Sequence, residues 1–98
     1  MTRLETRLAA LAVAGETIPY GALAKELGLN MARLTAELEA LMEADAALGN
    51  PFRAALLRQR LSPDQLPAPG FFQKAAALGA EIIDPAAFIA DQRRRLRV

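Results

Sequence analysis

A chain of 98 residues that is 53% hydrophobic, with one Tyr and four Phe, is sized for a single core built mainly from alanine- and leucine-rich helices. With no Cys and no His it has no disulfide, no thiolate or imidazole metal site and no imidazole general base, so a non-enzymatic chain without cofactor or metal is expected. The net charge of +1 is uneven: residues 1–49 hold four basic and seven acidic side chains, residues 50–98 eight and four, which puts the cationic surface in the second half.

Leu4, Leu8 and Leu11 share a helical face, and the first helix is expected from Thr2 to the stop at Gly15. Arg3, Glu5 and Arg7 interrupt any signal-like apolar start, and no apolar run approaches the roughly twenty residues of a membrane span. A cytoplasmic chain without a membrane partner is the expectation. Residues 15–20 then read as an extended approach through Ile18 and Pro19, because the residue before a proline avoids the helical region. A short second helix starts near Tyr20 and ends at Gly28. Asn30 caps a longer third helix that runs to about Leu48, with Leu34, Leu38, Leu41 and Met42 as its apolar stripe.

Gly49, Asn50 and Pro51 break that helix. The segment 52–61 fits either a short buried strand or a helical turn, and the strand is preferred. Three prolines at 63, 67 and 69 make 62–70 a stiff loop. A helix over 71–78 stops at Gly79, and Asp84 caps a last helix from Pro85 that buries Phe88, Ile89 and Leu96. No repeat or low-complexity linker divides the chain. One domain over 1–98, mainly α with a minor strand element and organised around a helix-turn-helix, is the expected fold.

The helix-turn-helix rests on the short helix, the Gly28-Leu29-Asn30 turn and the third helix, with leucine at the inward positions 23, 27, 29, 34 and 38. In such a motif Asn30, Arg33 and Thr35 stand where side chains reach bases or phosphates of double-stranded DNA. Arg53, Arg58 and Arg60 flank the expected strand, where a wing would touch neighbouring phosphates. Arg94 and Arg97 belong to a basic run that favours the end of the last helix electrostatically and also suits phosphates. Glu37, Glu39, Glu43 and Asp45 oppose DNA on the third helix. The alternative is therefore a protein-interaction adaptor that uses this acidic helix and the Phe71-Phe72 region, with a protein partner or a second copy as homodimer. Glu37 and Glu39, two apart on a helix, form no acid-base dyad. Tyr20 reads as a packing and capping residue.

The stretch Ile18-Pro19-Tyr20-Gly21, followed by Leu23-Ala24 and Leu27-Gly28, resembles the helix-turn-helix entry of alkyltransferase and alkyltransferase-like DNA-binding domains. That resemblance implies a winged-helix fold in which Arg33 matches an arginine early in the second helix that works at the DNA. The Pro-Cys-His-Arg-like active-site segment is absent, so alkyl transfer does not carry over. Asn50-Pro51, Leu66-Pro67-Ala68-Pro69-Gly70-Phe71-Phe72 and Leu78-Gly79 resemble small uncharacterised bacterial winged-helix-like proteins, a likeness that covers nearly the whole chain and implies fold without activity.

Overall fold

A computed structural model describes residues 1–97. Helix α1 is Arg3–Ala14, followed by β1 (Ile18–Pro19), α2 (Tyr20–Leu27) and α3 (Met31–Ala47). A 3-10 turn at Arg53–Leu56 leads into β2 (Leu57–Arg58), and α4 (Pro69–Ala77) and α5 (Pro85–Leu96) complete the chain. The protein is mainly helical with a small two-stranded parallel sheet.

Helix boundaries follow from local chemistry. Thr2 caps α1 through a reciprocal pair: its hydroxyl accepts from the Glu5 N–H, and the Glu5 carboxylate accepts from the Thr2 N–H. Gly15 closes the helix in the left-handed region at φ 69°. Asn30 Oδ1 accepts from the Arg33 N–H at 2.8 Å to start α3, and Asp84 accepts from the Ala86 and Ala87 N–H groups to start α5. Helix α4 begins at Pro69, two residues before the expected start, because proline is well accommodated in a first turn.

The strand expected over 52–61 is largely replaced. Only Leu57 and Arg58 are extended; Ala54, Ala55 and Leu56 form the 3-10 turn. Side chains take the backbone donors that a ladder would need. Gln92 Oε1 accepts from the Phe52 N–H at 2.7 Å, and Asp45 Oδ2 accepts from the Arg53 N–H at 3.0 Å. The two-residue strand pairs parallel to β1, Ile18 opposite Leu57, so it forms no hairpin with a neighbour in sequence.

The core joins both halves of the chain. Leu8, Leu23, Leu34, Met42, Leu57 and Ile89 are its largest fully buried side chains, and Leu4, Leu11 and Leu38 are buried with them. Phe71 is buried too, its ring edge-on to Phe52 at 5.9 Å and to Phe72 at 5.3 Å. The Phe71-Phe72 pair therefore offers no open aromatic patch: Phe71 belongs to the core and Phe72 packs partly buried against it. Among the described residues no helix is long and apolar enough to cross a membrane.

Candidate nucleic-acid interface

Helices α2 and α3 pack through Leu23, Leu34 and Leu38, with Leu27 and Leu29 partly buried at the turn. This burial fixes which face of each helix is left to solvent. The exposed residues of α3 are Ala32, Ala36, Ala40, Ala44 and Ala47 together with Met31, Arg33, Thr35, Glu39 and Glu43. Half of that outer face is alanine methyl groups, and Arg33 and Thr35 are its donors nearest the start of the helix.

Of the three residues expected to reach DNA from the start of α3, two are engaged within the fold and one is open. Asn30 uses its side-chain oxygen as the cap. The Arg33 guanidinium bonds Glu37 Oε2 at 3.0 Å, one helical turn on, while staying largely in solvent. Thr35 is exposed and lines an apolar groove of about 170 Å³ between α3 and the start of α4, with Met31, Leu38, Met42 and Phe71.

Arg53, expected among the phosphate-contacting residues, is bound within the fold. Its guanidinium lies 2.9 Å from Asp45 Oδ1 and 2.9 Å from Glu5 Oε2, so it ties α1, α3 and the 3-10 turn together. Asp45 is only 3% exposed, and the arginine is the compensating charge for that buried carboxylate. The hydrogen bond that Arg53 donates to Asp45 chiefly, then the one it donates to Glu5, raises its pKa, and burial opposes them. A cation held this way spends its charge and most of its donors on two carboxylates of its own chain.

The C-terminal arginines also separate. Arg93, half-buried, donates to the carbonyls of Ala55, Leu57 and Gln65 at 2.8, 3.3 and 2.6 Å. Burial lowers its pKa. Arg94 pairs with Asp91 one turn back, and the Arg97 guanidinium packs over Gly15, 3.2 Å from where a Cβ would stand. The run is therefore spread around α5 as clamps and pairs.

Arg58 and Arg60 behave differently. Together with Lys25 they line a groove of about 580 Å³ against Pro19, Gly21 and Ala22, at the start of α2. No ion pair joins any of these three cations to a carboxylate among the described residues. The N-terminal turn of α2 has no side-chain cap, and the positive end of its helix dipole faces the same groove. Lys25 was absent from the residues expected to bind DNA. Its signal lay in the helical period, since it falls opposite the buried Leu23 side of α2.

Pairing also reduces the negative charge of α3. Glu37 is matched by Arg33, Glu43 by Lys74 at 2.6 Å and Asp45 by Arg53, which leaves Glu39 at the apolar groove. No family model, no curated protein and no solved structure matches this chain.

Proposed function

We propose that this chain is a non-enzymatic, winged-helix-like module that binds double-stranded DNA through its phosphates, with little reading of base sequence. The observation that carries the proposal is the groove of Lys25, Arg58 and Arg60, three cations with no carboxylate partner among the described residues, while Arg53, Arg33, Lys74 and Arg94 are each matched by one. Phosphate contacts supply most of sequence-independent affinity and position a protein on the duplex. In this arrangement α2 lies against the backbone, as the first helix of a helix-turn-helix does. The outer face of α3 then meets groove walls largely through alanine methyl groups, with Arg33 and Thr35 as the few polar groups near its start.

The test is fluorescence anisotropy of labelled random duplex DNA over a salt series. Binding with Kd on the order of micromolar at low salt is expected, falling steeply as salt rises. Replacing Lys25, Arg58 or Arg60 by Ala lowers the slope of log K against log salt by about one each. Arg33→Ala has a smaller effect, because its guanidinium is shared with Glu37. A duplex affinity that none of the three groove substitutions changes overturns the proposal.

A protein-interaction adaptor is the competing reading, and the apolar groove beside Met31, 48% exposed, is the feature that favours it. Its acidic helix and Phe71 do not, since the acids are largely paired and the ring is buried. A concentration-dependent homodimer in light scattering, with no DNA affinity at low salt, would decide for the adaptor.

A further inference from the structure

Residues 59–66 form a closed loop immediately after β2. The Gln59 N–H donates to the Leu66 carbonyl at 2.8 Å across its base. Inside it, Ser62 N–H donates to the Gln59 carbonyl at 3.3 Å, Gln65 N–H to the Ser62 carbonyl at 3.1 Å and Leu66 N–H to Ser62 Oγ at 3.0 Å. Pro63 removes further backbone freedom.

The loop is also held from outside. Gln65 is the one described non-glycine residue with positive φ, at 54°. Its carbonyl accepts from Arg93 Nη2 at 2.6 Å, and its side-chain oxygen accepts from Thr17 Oγ1 at 3.2 Å. A strained backbone persists only where its surroundings over-determine it, and such positions gather where a loop must hold one shape.

At the free end of this fixed loop stands Leu61, 91% exposed. A single exposed leucine is ordinary on a protein surface. This one follows Arg60 directly, on the loop whose stem supplies Arg58 to the cationic groove with Lys25. Apolar side chains presented to DNA beside cations have a known physical use: they wedge between base steps in the minor groove, unstack them and bend the duplex. The minor groove is about 6 Å wide, narrow enough to grip an aliphatic side chain and an adjacent arginine together.

We infer that Leu61 is a minor-groove wedge and that the 59–66 loop takes the place of a wing, so that the chain bends the duplex it binds. The inference rests on the proposed phosphate-binding function. The charge of Lys25, Arg58 and Arg60 identifies the occupant as a polyanion, and the wedge adds deformation of a stacked duplex to simple neutralisation. Specificity then comes from how easily a sequence deforms, with flexible pyrimidine–purine steps favoured over stiff A-tracts.

Two readouts on one titration test this with the full chain. Anisotropy reports binding, and duplexes carrying 2-aminopurine or an end-to-end FRET pair report unstacking and bending. The expected result is a rise in 2-aminopurine fluorescence and in FRET on binding, lost in Leu61→Ala while the salt slope is unchanged, and retained in Leu61→Phe. Leu61 makes no core contact, so neither variant disturbs folding. Binding without any fluorescence or FRET change, or an equal change with Leu61→Ala, overturns the wedge and leaves phosphate binding standing. Absence of binding at low salt overturns both.

Discussion

Arg53 shows how a charged side chain can be turned inward by one buried neighbour. Asp45 sits at 3% exposure on α3, and its two oxygens take both the Arg53 guanidinium and the Arg53 backbone N–H. Removing the guanidinium leaves the carboxylate in the core without its countercharge. Arg53→Ala is therefore expected to lower stability by about 3 kcal/mol, read as a shift in urea midpoint, whereas Arg60→Ala leaves the midpoint unchanged. An equal effect of the two would mean that Asp45 is neutralised in some other way. The distinction between a structural and a ligand-binding arginine was not legible from the sequence, where Arg53, Arg58 and Arg60 all flank the same short apolar segment.

Among the elements, helices were the most legible, because their start and stop signals are local. The Thr2-to-Glu5 pair, the Asn30 cap and the Asp84 cap each depend on residues within three positions. Asn30→Ala leaves the first turn of α3 with an unpaired donor and is expected to cost about 1 kcal/mol in thermal or urea unfolding. Asn30→Asp preserves the acceptor and should retain most of that stability. Loss of DNA affinity in Asn30→Ala without loss of stability would instead make Asn30 a ligand-binding residue. The 52–61 segment was the least legible element. Its conformation depends on Gln92, forty positions away, and on Asp45, neither of which local periodicity can report. Tyr20 lies between these cases: its place at the head of α2 was readable, but its hydroxyl accepts from the Ala68 N–H at 3.0 Å and so fastens the proline loop to the helix.

Taken as a whole, the molecule is fastened by charged and polar links between segments far apart in sequence, and these links give its stability a pH dependence. Glu5 is held below the usual carboxylate range by its Thr2 backbone bond and by Arg53, and Glu26 by Arg7. Lowered carboxylate pKa values favour the folded chain above the unfolded carboxylate range, an advantage lost as pH falls through the folded values. Burial raises the Tyr20 pKa, so its contribution is present below the ordinary tyrosine value and is lost as pH rises through the folded one. Stability measured by urea unfolding is expected to be flat near neutrality and to fall below about pH 4 and above about pH 10. Tyr20→Phe should remove part of the alkaline fall; an unchanged alkaline limb would mean that Tyr20 titrates normally. The sequence by itself determined the helical class, the capped boundaries, the leucine faces of α2 and α3 and the excess of cations in the second half, because all of these follow from periodicity, composition and local hydrogen bonding. Only the tertiary structure decided which arginines are free. Pairing depends on which carboxylates and carbonyls the packed helices bring within about 3 Å, and that distance is set by the core rather than by spacing along the chain.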